Sequence, residues 1–237
     1  MPGLYAAALA AAGIVLAAAV ALWLVFAKPE RRWLYALLLA LELPMSWAAF
    51  QYLRAPLDGW LAGAVADRGA YALLTMLYAP LTEEPAKLWP LLLPFVWRRL
   101  GRDNAAGIAL ALGIGFGLGE IGFLAEQVAR APAIAALPPE AFAGFVFERV
   151  LVCVWHPAFV AVTVAAAARR PALLPAGLLG AMALHFVGNF PIYLAARDAF
   201  GLGRAGWQQA LLAWTLIYAV LMGLLLAWLA WRGRQPR

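Results

Sequence analysis

Long apolar runs separated by short polar connections recur along this 237-residue chain. Seven can be read, approximately over residues 4 to 27, 33 to 53, 70 to 97, 104 to 126, 143 to 168, 172 to 195 and 208 to 231. At 1.5 Å per helical residue, each is long enough to cross about 30 Å of hydrocarbon. The pattern predicts an all-α polytopic transmembrane bundle of about seven spans. The connections leave no soluble domain, linker or low-complexity tail, so residues 1 to 237 read as a single membrane-embedded helical domain with a motif-bearing core over about 70 to 195. The first run lacks a preceding basic region and exceeds the core of a signal peptide, so it reads as a retained span.

Composition agrees: 66% of residues are hydrophobic and only 13% charged. The net charge of +6 raises the question of a nucleic-acid partner, and the placement of the charge answers it. Eleven of the eighteen basic residues fall in alternate connections: Lys28, Arg31, Arg32; Arg98, Arg99, Arg102; Arg169, Arg170; Arg232, Arg234, Arg237. The opposite connections hold Arg54, Arg68, Arg130, Arg197 and Arg204. This asymmetry is the positive-inside pattern, with the lipid bilayer as partner, the N-terminus outside and the C-terminus cytoplasmic. Sixteen arginines to two lysines and abundant alanine point to a GC-rich bacterial genome, hence an inner (plasma) membrane. The one cysteine, Cys153, lies in a span and excludes an intrachain disulfide.

Charge inside an apolar run needs a reason, because a charged side chain at mid-bilayer costs about 3 kcal/mol to insert. Glu83, Glu84 and Lys87 share one run, and Glu120, His156 and His185 stand in three others. Counted from the basic ends, Glu84, His156 and His185 lie about 20 Å deep and Glu120 about 25 Å deep. One layer therefore holds all four, nearer the predicted outer face. Gly113, Gly115, Gly117 and Gly119 allow close helix approach before Glu120. Pro80, Pro85, Pro90 and Pro94 punctuate the third run, and Pro85 frees the carbonyl of Leu81 beside the carboxylates. A wet pocket at that depth accounts for both.

The inventory narrows the chemistry. Ser46 is the only serine and has no histidine at its depth; all four aspartates lie in connections; no HExxH occurs. Cys153 precedes His156 by three residues, so it is a candidate nucleophile, although a buried cysteine is more often a small apolar residue. Glutamate, histidine and asparagine remain, a set suited to activating water. In one scheme Glu84 or Glu83 is the general base, with His185 and Asn189, spaced i and i+4, donating to an oxyanion. In the other, Glu84, His156, His185 and Glu120 hold Zn2+ with one position open. Glu83 and Lys87 are also spaced i and i+4, so an ion pair between them would neutralise one acid and leave the other to act. Glu42 lies nearer the cytoplasmic face and Glu148 with Arg149 near the outer boundary, and they read as helix packing or interfacial anchors.

Glu83-Glu84-Pro85-Ala86-Lys87 resembles the EExxK motif of the PrsW family, and Gly115-Phe116-Gly117-Leu118-Gly119-Glu120 its glycine-rich second motif. His156-Pro157-Ala158-Phe159 is similar to the third motif, and His185-Phe186-Val187-Gly188-Asn189 to HxxxN. The resemblance spans roughly residues 70 to 190. It implies a membrane-embedded peptidase of the wider CAAX prenyl protease and bacteriocin-processing superfamily, of glutamic or metalloprotease type. The implied substrate is a membrane-anchored protein or peptide, such as an anti-sigma factor cleaved at site 1 on the extracytoplasmic side. An ion-coupled transporter and a non-catalytic scaffold binding a partner's helix are the alternative readings of the same residues.

Overall fold

The computed structural model describes residues 2–235, so Arg237 of the basic C-terminal cluster lies outside them. Helix α1 (Gly3–Phe26) descends from what is here called the upper end. After a 3-10 turn over Pro29–Arg31, α2 (Arg32–Ala48) ascends and continues through a π-helical stretch, Ala49–Arg54, into α3 (Ala55–Ala64). Helix α4 (Arg68–Ala86) descends and gives way to a 3-10 turn over Trp89–Leu92 and the single turn α5 (Pro94–Trp97). Helix α6 (Ala105–Ala129) ascends; α7 (Pro132–Ala135) and a 3-10 turn over Pro139–Phe142 cap the upper end. Helix α8 (Ala143–Arg169) descends, α9 (Leu174–Ala196) ascends, and α10 (Gly203–Arg234) descends to the lower end. All regular structure among the described residues is helical.

Six helical segments are long and apolar enough to cross a membrane, which marks an integral membrane protein. The third predicted run is the exception. Pro85 and Pro90 cannot supply the amide hydrogens an α-helix needs there, so α4 stops at Ala86 and the rest of the run proceeds as short turns. The second run departs the other way and stays helical to Ala64. Pro56 would clash with a carbonyl one α-turn back, and the wider π register, in which the Ala55 N–H donates to the Phe50 carbonyl, carries the helix past it.

Helices α6 and α8 form the centre: 61% of the most apolar window of each is buried, against 22% for α1, α9 and α10. Small residues make this possible, since lipid supplies no hydrophobic drive between helices and association rests on packing. Gly113 and Gly117 of α6 sit against the backbone at His156 and Pro157 and against Cys153 of α8; Gly115 and Gly119 sit against the Leu39 and Leu43 carbonyls of α2. At the lower end Arg31 pairs with Asp103 at 2.8 Å, and that hydrogen bond holds the Asp103 carboxyl below the usual carboxylate range.

Gly113→Ala puts a methyl into the α8 backbone and is expected to cost about 1–3 kcal/mol in detergent unfolding. Gly122→Ala, on the same helix with open space around it, should be neutral or stabilising by up to about 1 kcal/mol. Equal effects at the two positions would refute the packing argument.

Candidate active site

The early stop of α4 sets the site. Asp67 caps the helix start by accepting from the Ala70 N–H at 2.6 Å, and Pro85 ends it, so its last turn carries Glu83 and Glu84 in the bundle interior. Lys87 follows as the C-cap, where the chain tightens so that the Leu88 N–H donates to the Pro85 carbonyl at 3.0 Å. The i, i+4 pairing of Glu83 with Lys87 expected from sequence is not the one formed. Lys87 Nζ donates instead to Glu84 Oε1, three residues back, at 2.5 Å, with both side chains at most 1% exposed. The ammonium also lies 4.7 Å from the ring centre of Phe116, a favourable cation–π position.

Glu84 Oε1 has a second partner, His185 Nδ1, at 2.6 Å. Glu83 faces the other way. Its Oε1 accepts from Arg54 Nη1 at 3.1 Å, and its Oε2 stands 3.7 Å from His185 Nε2. His185 is thus flanked by both acids of the pair, one on each ring nitrogen.

A parallel arrangement occupies the facing wall. Glu120 Oε2 lies 2.7 Å from His156 Nε2, and Glu120 Oε1 lies 3.2 Å from Arg149 Nη1. Arg149 donates further to Glu148 through Nε at 2.9 Å. Of the two readings for Arg149, helix packing fits: it is buried and pairs with Glu120 of α6. It precedes His156 by seven residues on α8, two helical turns, so both project from one face. That spacing was the readable signal. For Arg54 there was none, because its position depends on the helix continuing through the π stretch. The two imidazoles approach to 6.4 Å between ring centres.

Glu83, Glu120, His156, His185 and Asn189 line one cavity of about 870 Å³. It widens toward the upper end, where Arg54, Asp58 and Arg130 border it. Glu84 and Lys87 lie behind this wall. Cys153 is buried at 2% exposure in the core beside Gly117, away from the cavity, and packs as an apolar residue. Glu42 and Ser46, one turn apart on α2, are fully buried against Gly115 and Gly119 with no protein hydrogen-bond partner.

The donors named for zinc, Glu84, His156, His185 and Glu120, fall into two separate carboxylate–imidazole pairs. Among the described residues no three histidine, cysteine, aspartate or glutamate side chains gather closely enough to hold a metal ion. Holding Zn2+ would require the two pairs to turn their donors toward one point. No family model, curated protein or solved structure matches the chain.

Removing one member of a buried ion pair strands the other. Lys87→Met is expected to destabilise the protein by about 3–5 kcal/mol, and adding Glu84→Gln should recover most of that loss. Unfolding of the single and double variants in detergent checks this; additive losses would rule out the pairing.

Proposed function

We propose that the protein is a membrane-embedded peptidase of PrsW type, with Glu83 as the base that activates water. The observation that carries this reading is the grouping of the Glu83 carboxylate, His185 Nε2 and Asn189 on the wall of one cavity. Glu84 is already committed to Lys87 and His185, which leaves Glu83 as the acid that faces the reacting space.

In the proposed step Glu83 takes a proton from water as the oxygen attacks a peptide carbonyl. The Asn189 amide donates to the oxyanion, and His185, held at Nδ1 by Glu84, presents Nε2 beside it. Glu83 then returns that proton to the leaving amine, which closes the proton cycle, while Glu120 fixes the His156 ring in the cavity wall. Arg54 must give way as Glu83 takes the proton, so the substrate displaces an ion pair on entry.

A membrane-anchored substrate fits the cavity's side wall. Ile192 of α9 and Leu212 of α10 line the cavity and are also 48% and 54% exposed on the apolar outer surface. The positive-inside pattern orients the cavity mouth extracytoplasmically, with the N-terminus outside, in a bacterial inner membrane. Site-1 cleavage of an anti-sigma factor rests on the family resemblance.

Glu83→Gln is expected to lower cleavage of a fluorogenic membrane peptide by about 10²–10⁴-fold, and Asn189→Ala by about 10²–10³-fold. Wild-type cleavage should persist in excess chelator. Full activity of Glu83→Gln sinks the assignment of the base; activity abolished by chelation and restored by zinc sinks the metal-free scheme.

A further inference from the structure

A second cavity, at the opposite end of the molecule, carries the chemistry of a lipid site. It occupies about 520 Å³ between α1, α6 and α10, within the size range of small-ligand pockets. Its walls are apolar, with Leu110, Val154 and Leu226 among them, and Gly107 and Gly223 hollow it out. Gly223 precedes Arg234 by eleven residues, so the groove penetrates about 16 Å from the lower end.

At its lower rim stand Arg102 and Arg234. Neither has an acidic partner among the described residues, and the one acid at the rim, Asp103, is held by Arg31 at 2.8 Å. Arg102 also borders a smaller neighbouring cleft with Arg169 and Arg232, which concentrates positive charge at this rim.

We propose that this groove binds an anionic phospholipid: phosphate on Arg102 and Arg234, and one acyl chain along the apolar groove toward Gly223. Each element of the ligand meets a matching element of the wall in the order it has in the lipid. Basic pockets between transmembrane helices are known seats for such headgroups. The inference is independent of the peptidase reading, since it concerns the other end of the protein and is read by binding.

The test uses purified full-length protein in neutral detergent, with phosphatidylglycerol, phosphatidylcholine and inorganic phosphate as probes. Phosphatidylglycerol should raise the thermal midpoint and appear as a bound adduct in native mass spectrometry; phosphatidylcholine should do neither. Arg102→Gln with Arg234→Gln should weaken phosphatidylglycerol binding about 30-fold, at about one order of magnitude or less per arginine. Gly223→Leu, which fills the groove, should abolish it. The paired upper-end substitutions Arg197→Gln and Arg204→Gln, which remove the same charge, should leave it intact. Should the arginine double variant not fold, the two single arginine variants and Gly223→Leu read the same site. Equal binding of phosphatidylcholine, equal protection by inorganic phosphate, or unchanged affinity in the groove variants overturns the proposal.

Discussion

Three buried glutamates at the site are each matched by a cation within the membrane-buried part of the protein: Glu83 with Arg54, Glu84 with Lys87, Glu120 with Arg149. An ionised carboxylate in this setting is tolerable only when paired and hydrogen-bonded, and the fold is arranged to deliver the three partners from three different helical segments. Arg54 arrives through the π stretch after α2, Lys87 through the tightened end of α4, and Arg149 from two turns above His156 on α8. The irregular backbone at the first place is therefore tied to the charges. At Lys87 the backbone N–H still donates to the Glu83 carbonyl, and the side chain takes the i, i+3 partner, Glu84, because Glu83 is already held by Arg54.

The pairing also separates the roles of the two adjacent glutamates. Glu84 is enclosed, shares one oxygen between an ammonium and an imidazole, and fixes the ring of His185. Glu83 keeps one oxygen on Arg54 and turns the other toward the cavity. Two residues of the same type, adjacent in the chain, thereby acquire different environments because successive helical positions point about 100° apart. The His156 pair repeats the same construction with Arg149 as its cation, so each imidazole at the cavity is held by a carboxylate that a cation has already neutralised.

Much of this was readable in the chain because depth in a bilayer is close to a linear function of residue number. Counting from the basic ends placed Glu84, Glu120, His156 and His185 in one layer, and in the structure they stand as two touching pairs with rings 6.4 Å apart. Depth says nothing of azimuth, and the expectations that failed were azimuthal or depended on helix continuity. The partner of Lys87 differs because i+3 and i+4 neighbours are both within reach and Glu83 is taken by Arg54. Arg54 was assigned to a connection because the π stretch that extends its helix leaves no mark in hydrophobic periodicity. Arg149 was open to either packing or anchoring although its seven-residue spacing from His156 was visible, since its neighbour Glu148, 42% exposed, offered a local partner.

Glycine spacing in α6 links the charge array to the packing. Gly113 and Gly117 bring α8 close enough for His156 to meet Glu120 across the interface, while Gly115 and Gly119 bring α2 close on the adjoining face. The same helix thus sets two separations at once, and Glu120, the next residue after Gly119, inherits its position from both. A side chain added on the α8 face would lengthen the Glu120 to His156 contact, leaving the histidine unheld and the Arg149 charge poorly matched. Packing and electrostatics are in this sense one constraint. The carboxylates can be buried because the backbones approach, and the close approach persists because small residues there leave no steric reason for the helices to part.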